Sequence, residues 1–178
     1  MQTQSEPPSY ILHLRIAAMK YLAKTVSEAK NTAHAYMVWD SEIEEALADS
    51  GAWLRNTLLL PFERYSGVLT LTEKSIMFAG RSLKTGSTVT LEIQASQVAR
   101  LGLEFDERVK ENPRIDGTLK PITVTYRKGD SLVTAYLWVN HDRYTGSTEN
   151  HIWFQILSSW LASYTLQNEK VKKGGEDE

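Results

Sequence analysis

The chain has 178 residues, a mass of 20.2 kDa and a hydrophobic content of 42%, which suits one domain with an appendage or two small domains. Twenty Lys and Arg against 22 Asp and Glu give a formal charge of −2, which argues against a general nucleic-acid binder with its usual basic footprint. Cysteine is absent, which excludes a disulfide framework and thiolate zinc ligands, and we expect neither a cofactor nor a metal.

An amphipathic pattern covers the N-terminal part of the chain. Apolar residues from Leu12 to Tyr36 recur in steps of three and four, which predicts a helix reaching residue 38 or so. A break near Asn31 and Thr32 fits equally well, because both residues have poor helix propensity. One helix and two helices therefore both stay open. A continuous helix of about thirty residues would be roughly 45 Å long. It would either cover the core or, over residues 10–38, bind a second copy or another protein.

A second, shorter helix is predicted after this pattern. The run Ser41-Glu42-Ile43-Glu44 matches a capping box, with Ser41 as the N-cap and Glu44 at the third helical position. Acidic residues in the first turn suit the positive end of the helix dipole. Gly51 provides a stop. We interpret these glutamates as solvated residues and not as metal ligands.

Seven short segments then show the alternation of β-strands. In residues 88–94 the apolar Val89, Leu91 and Ile93 alternate with polar residues, which predicts a strand with one buried and one solvated face. Short connections such as 73–74 and 95–96 predict that neighbouring strands pair as antiparallel hairpins. Pro61 would confine the first segment to a sheet edge or a strand end. The candidate strands are 57–62, 67–72, 75–80, 88–94, 101–105, 122–126 and 132–139.

A wide apolar stripe follows in the last third of the chain and predicts an amphipathic helix. We expect Trp160 on this stripe to lie over one end or seam of the sheet, and Trp138 and Trp153 also to lie in the core. The predicted fold class is α+β: a seven-stranded antiparallel barrel or sandwich closed by a C-terminal helix, with extra N-terminal helices. The stripe consists of Ile152, Trp153, Ile156, Leu157, Trp160, Leu161 and Tyr164.

This order of elements is similar to the pleckstrin-homology-like superfold. The segment Gly67–Gly80, which reads GVLTLTEKSIMFAG, resembles the G-x-L-x-L-T-x-x-x-L-x-F run of GRAM-type members. The segment Leu91–Arg100 resembles the strand-turn-strand that follows that run, and Pro121–Arg127 with the terminal helix fits the remaining order. The resemblance covers about residues 57–166. It rests on strands and turns, so it implies a fold more strongly than a function.

The resemblance also implies a ligand site at the open end of the barrel. In pleckstrin-homology-like domains, the loops after the first, third and sixth strands line that end. With 57–62 as the first strand, these loops carry Arg64, then Arg81 and Lys84, then Arg127 and Lys128. Such a cluster would suit a phosphorylated lipid headgroup or an acidic peptide. The first loop would have only about four residues, however, without the basic motif of the lipid-binding members.

An enzymatic alternative rests on one polar neighbourhood. His141 and Asp142 precede a turn, and Glu149 and His151 follow it. A His-Asp pair with a second His could relay protons or bind a metal. The simpler interpretation is a loop and a helix start with solvated side chains.

Three functions are therefore compared. The leading hypothesis is a non-enzymatic PH/GRAM-like binding module that mediates protein–protein interaction or dimerisation. The alternatives are a membrane-surface adaptor that binds anionic lipids and a small-barrel enzyme. The predicted organisation is an N-terminal helical extension (1–56), a PH-like domain (57–167) and a polar tail (168–178). No signal peptide or long apolar segment is evident, so we expect a cytoplasmic protein, with attachment to a membrane surface as the alternative.

Overall fold

A computed structural model describes residues 31–48, 64–104, 120–142 and 144–174. These residues form seven strands, two α-helices and two short 3₁₀ turns, Asp40–Glu42 and Ala95–Gln97. The elements are β1 (Thr32–Trp39), α1 (Ile43–Ala48), β2 (Tyr65–Leu71), β3 (Ser75–Ser82), β4 (Thr88–Gln94), β5 (Val98–Leu103), β6 (Ile122–Lys128), β7 (Ser131–Val139) and α2 (Asn150–Gly174).

The seven strands form one curled antiparallel sheet in the order β4-β3-β2-β1-β7-β6-β5. The predicted α+β class is confirmed, as are seven antiparallel strands followed by a C-terminal helix. The hairpins β2–β3 and β6–β7 form where short connections predicted them, and β3 pairs with β4 in the same way. The hairpin predicted at 95–96 is wrong: the 3₁₀ turn Ala95–Gln97 leads the chain from β4 to β5, and these two strands lie at opposite edges of the sheet. At the β6–β7 turn, Gly129 takes a φ of +62°, which only glycine adopts readily. The architecture is compatible with the pleckstrin-homology-like barrel that the sequence resembles.

The centre of the sheet differs from the prediction. Residues Thr32–Trp39 form β1, which pairs with β2 on one side and β7 on the other. The predicted helix is therefore wrong over this stretch, and the alternative break at Asn31 and Thr32 falls where β1 begins. Ala33 and Tyr36 matched a helical step because β1 has buried side chains on both faces from Ala35 to Val38, which hides the period of two there.

Other parts of the predicted organisation lie outside the described residues. The N-terminal pattern up to residue 30 and the candidate strand 57–62 both do so. The domain limits at 56, 57, 167 and 168 stay a prediction. Strand β1 lies inside the predicted N-terminal extension but belongs to the sheet. The backbone of α2 extends into the predicted polar tail and ends at Gly174.

The inner face of the sheet packs against α2. Trp153, Leu157 and Trp160 are buried there among the inward side chains of the strands. The indole N–H of Trp160 donates to the carbonyl oxygen of Glu73 in the β2–β3 turn at 3.1 Å, so this residue covers one end of the sheet as predicted. Ile152 was predicted to share the stripe but is 56% exposed, because the buried face of α2 is narrower than the apolar pattern.

A second core covers the outer face of the central strands. Tyr36 and Val38 of β1 and Tyr136 and Trp138 of β7 pack against α1. The central strands are consequently buried on both faces where α1 packs on them, whereas Thr32 and His34 of β1 and Leu132 of β7 stay exposed on the outer face. Trp138 is a core residue as predicted, although it lies on the face opposite α2. The second core consists of Tyr36, Val38, Ile43, Ala46, Tyr136 and Trp138.

One close approach explains the glycines of the GRAM-like segment. Gly67 and Gly80 face each other across β2 and β3 on the inner face of the sheet. A Cβ on Gly67 would overlap the carbonyl oxygen of Ala79 and the Cα of Gly80. Only glycine fits this pair without pushing the two strands apart.

Candidate functional site

The strand directions bring the five predicted basic residues to one end of the sheet, which we call the basic end. Arg64 immediately precedes β2, and Arg81 and Lys84 lie at the end of β3 and in the following turn. Arg127 and Lys128 end β6. The register places these positions at the same end, because Tyr65 pairs with Ser82 and Lys128 pairs with Ser131.

An acidic residue of α1 neutralises part of the basic end. Glu45 Oε1 lies 3.3 Å from Arg64 Nη2 and 3.0 Å from Lys84 Nζ. Arg64 is 7% exposed, so it does not project into solvent as the sequence predicted. A buried guanidinium requires a carboxylate or comparable partner. Both cations are therefore engaged within the protein.

A hydrogen-bonded carboxylate in the 3₁₀ turn before α1 links this turn to the start of β2. Glu42 Oε2 accepts the backbone N–H of Trp39 at 3.1 Å, and Glu42 Oε1 accepts the Tyr65 hydroxyl at 2.6 Å. Burial, together with this hydrogen bond, raises the pKa of Tyr65 to about 12. The capping interaction thus lies two residues earlier than the predicted Ser41–Glu44 box, because a 3₁₀ turn that starts at Asp40 precedes α1.

The remaining basic residues do not converge on one ligand position. Arg81 and Arg127 have the alternation parity of Met77 and Thr123, so both lie on the outer face of the sheet. Strands β2, β1 and β7 separate β3 from β6, a distance of roughly 19 Å along the sheet. On the convex face of a curled sheet, such positions point away from each other.

The first connection of the sheet also differs from its predicted length. Because β1 ends at Trp39 and β2 begins at Tyr65, this connection runs over residues 40–64, not over about four residues. Its described part is the acidic 3₁₀ turn and α1. The other part, residues 49–63, lies outside the described residues.

The polar neighbourhood of the enzymatic alternative is dispersed. His141 is buried and stacks edge-on against Tyr36 with ring centroids 6.1 Å apart, whereas His151 is exposed. Asp142 accepts the backbone N–H of Tyr144 at 2.8 Å, which lowers the pKa of its carboxyl group.

The carboxylate of Glu149 also makes a local hydrogen bond. Glu149 Oε2 accepts the Asn140 side-chain amide at 2.6 Å, next to the start of α2. Across residues 31–48, 64–104, 120–142 and 144–174, no cluster of three His, Asp or Glu residues could hold a metal ion. His141 therefore contributes to packing, and Asp142 and Glu149 contribute hydrogen bonds to the local turns.

The outer face of β2, β3 and β4 is open and partly apolar. Val68 is 47% exposed and Met77 is 40% exposed, and Ala79 lies beside them. A shallow open cleft of about 440 Å³ borders this face at the end opposite the basic end. The cleft is lined by Thr72, Glu73, Lys74, Ser75, Met77, Glu92 and Gln94.

Strand β4 forms one edge of the sheet, and among the described residues it pairs only with β3. Ser82 N–H donates to Ser87 O, and Ala95 N–H donates to Lys74 O, each at 2.8 Å, which fixes the hydrogen-bonded positions of this hairpin. Antiparallel ladders alternate between hydrogen-bonded and non-bonded pairs. The backbone groups that face away from β3 therefore belong to Thr88, Thr90, Glu92 and Gln94.

This edge lacks most of the features that protect exposed strands. Its sequence, TVTLEIQ, contains no proline, glycine or lysine, and its pairing with β3 is regular. The N–H of Gln94 donates to the Gln97 side chain at 2.8 Å, which covers one end. Three residues, Thr88, Thr90 and Glu92, still present outward N–H and C=O groups. We call these three residues the open edge.

The other edge of the sheet is irregular. Strand β5 shifts register between Val98 and Arg100, and α2 packs against it. A bulge and a covering helix both discourage pairing with another strand. Sequence alternation identified both edge strands as strands, but the order of strands in the sheet had no signal that we could use, so the open edge was missed.

Comparisons with protein-family models and with curated proteins found no match to this chain. In the part of the chain that the structure describes, no helix is long and apolar enough to cross a membrane.

Proposed function

We propose that this chain is a non-enzymatic, PH/GRAM-like binding module that binds protein through the edge of its sheet. The observation that supports this is the open edge, where three consecutive outward residues of a regular strand offer backbone donors and acceptors. An extended peptide can add to such an edge as a further strand, with main-chain hydrogen bonds providing affinity.

The neighbouring side chains suit the same role. Val89 and Leu91 are partly exposed on the inner side of β4, and Met77 of the adjacent strand β3 is exposed on the outer face. Alternating apolar positions along an edge provide contacts for alternate side chains of a bound strand. Backbone hydrogen bonds and apolar contacts with a bound strand would therefore both form along β4.

A membrane-surface adaptor is the second candidate. Exposed Arg81, Arg127 and Lys128 at the basic end favour it, since basic side chains add affinity for anionic lipid surfaces. The pairing of Arg64 and Lys84 with Glu45, and the outward divergence of Arg81 and Arg127, weaken it. The protein-binding function is therefore preferred.

Two measurements separate these candidates. A library of displayed extended peptides is selected on the full chain, and the selected peptides are tested on Thr90→Pro and Thr90→Ala variants. Proline at this position removes an outward N–H without removing a β3–β4 hydrogen bond. We expect peptides that bind the wild type and the alanine variant but not the proline variant. Peptides that bind all three equally, or no binders at all, would contradict the proposal.

The adaptor is tested with vesicles of anionic and of neutral lipid at low salt. We expect little difference between them in cosedimentation of the wild type. Strong salt-sensitive binding to anionic vesicles, lost in an Arg81→Glu/Lys84→Glu variant with an unchanged melting temperature, would establish the adaptor instead.

A further inference from the structure

We propose that the partner of the open edge is a second copy of this chain, bound through an antiparallel β4–β4 contact with its two-fold axis at Thr90. This inference rests on the proposed function, because it names the partner of the protein-binding edge. The contact would join two seven-stranded sheets into one continuous sheet.

The outward backbone groups decide the register of this contact. The outward N–H and C=O groups of one strand can bond only to outward groups of the other strand. The open edge of one copy therefore pairs with the open edge of the second copy. A two-fold axis at Thr90 pairs Thr90 with itself and Thr88 with Glu92. All three outward residues of both copies are then hydrogen-bonded.

Registers with the two-fold axis one residue away would form fewer hydrogen bonds between the two strands. An axis at Leu91 would need the N–H of Gln94, which already donates to Gln97 Oε1 at 2.8 Å. An axis at Val89 would need Gly86, which lies in the β3–β4 turn outside the strand. The axis at Thr90 is therefore the favoured one.

The side chains are self-complementary in this register. On the inner side, Val89 of each copy lies opposite Leu91 of the other, which pairs two partly exposed apolar side chains. On the outer face, Thr90 lies opposite Thr90, and Glu92 lies opposite Thr88. Threonine pairs are favourable across strands, and no two like charges are opposed.

A pair of charges strengthens the same arrangement. Arg81 is the outer-face neighbour of Thr88 on β3, and Thr88 would lie opposite Glu92 of the second copy. Arg81 and that Glu92 are then two strand spacings apart, roughly 10 Å between backbones, which two long side chains can span. Both residues are exposed, and the two-fold axis creates the ion pair twice.

The size of the contact sets its strength. An edge-to-edge strand pair buries less surface than a standard protein–protein interface, so we expect a transient dimer and not an obligate one. Sedimentation velocity of the full chain from micromolar to submillimolar concentration should show a dimer fraction that rises with concentration. Thr90→Pro should remain monomeric over this range with a melting temperature close to that of the wild type, and Thr90→Ala should still dimerise.

Charge reversal provides a test that does not alter the backbone. Arg81→Glu alone and Glu92→Arg alone should each weaken the dimer about five-fold or more, because each reversal turns two ion pairs into repulsions. The double variant Arg81→Glu/Glu92→Arg should restore most of the affinity. Failure of the double variant to recover any dimer would contradict the predicted pairing.

The absence of cysteine from the chain allows a direct test of register. A cysteine at Thr90 would lie on the two-fold axis, with Cα atoms about 5.5 Å apart, within disulfide range. A cysteine at Thr88 would lie roughly 14 Å from its copy, outside that range. Mild oxidation should therefore cross-link Thr90→Cys rapidly and Thr88→Cys slowly.

Several results would overturn the inference. They are a wild type that stays monomeric at submillimolar concentration, a Thr90→Pro variant that dimerises like the wild type, or equal cross-linking of the two cysteine variants. A monomeric wild type that still captures peptides sensitive to Thr90→Pro would overturn only the identity of the partner. The loss of both kinds of binding would also overturn the proposed function.

Discussion

Trp160 shows at the residue scale how α2 is fixed to the sheet. Its indole is buried in the inner core and donates a hydrogen bond to the carbonyl oxygen of Glu73. Trp160→Ala should lower the free energy of unfolding by about 3–5 kcal/mol, because it leaves a large cavity. Ile152→Ala on the exposed side of the same helix is the control and should change it by about 0.5 kcal/mol or less. Urea unfolding measures both, and similar values for the two variants would mean that this face of α2 is not packed as described.

Tyr65 makes stability depend on pH because burial, and secondly its hydrogen bond to Glu42, raises its pKa. Its pKa is raised to about 12 in the folded protein, mainly by burial, against an ordinary value near 10. The unfolded chain therefore loses this proton first as pH rises. The stabilisation is complete below about pH 10 and is lost between about pH 10 and pH 12.

Tyr65→Phe tests this pH dependence. The variant should be less stable by about 1–2 kcal/mol at neutral pH, because Glu42 loses a hydrogen-bond donor. The difference between the wild type and the variant should shrink as pH rises from about 10 to about 12. Denaturant unfolding at several pH values measures it. A difference that is constant over this range would show that Tyr65 ionises alike in the folded and unfolded states.

Strand β1 is the element on which the whole sheet depends. It pairs on both sides, and its two faces contribute to two separate cores. Removal of residues 1–39 should therefore leave an insoluble or unfolded chain, whereas removal of residues 1–30 should leave a cooperative thermal transition. Circular dichroism of the two truncated chains checks this. A folded product after removal of β1 would contradict the central position of the strand.

The elements were predictable where local alternation was clear. In β4 the side chains of Val89 and Ile93 face the core and that of Thr90 faces solvent, in the predicted period of two. Short turns predicted β2–β3 and β6–β7 correctly, but the short connection at 95–96 did not pair β4 with β5. Strand β1 was not predicted because it has buried side chains on both faces. Periodicity alone cannot distinguish such a strand from a buried helix. The pairing of β1 with β7 joins residues about a hundred positions apart, which no local pattern encodes.

The candidate site was less predictable than the fold for the same reason. The sequence correctly indicated basic residues near strand ends, but it did not indicate that Glu45 would pair with both Arg64 and Lys84. The bond between Tyr65 and Glu42 spans 23 residues. Such ion pairs and hydrogen bonds depend on the tertiary fold. A count of basic residues in loops therefore overestimates the exposed positive charge.

At the scale of the whole molecule, protection is uneven across the sheet. The central strands are covered on both faces, β5 is irregular and contacted by α2, and β4 remains open among the described residues. Edges of this kind are sites where another strand can add. The proposed binding edge therefore lies at the periphery of the sheet.

Residue-resolved amide hydrogen exchange along β4, at low and at high protein concentration, tests this central claim most directly. The amides of Val89, Leu91 and Ile93 point toward β3 and donate to it, so they should be protected at both concentrations. The outward amides of Thr88, Thr90 and Glu92 should exchange rapidly at low concentration and become protected at high concentration. Uniform protection of the whole strand at low concentration, or outward amides that ignore concentration, would contradict the account.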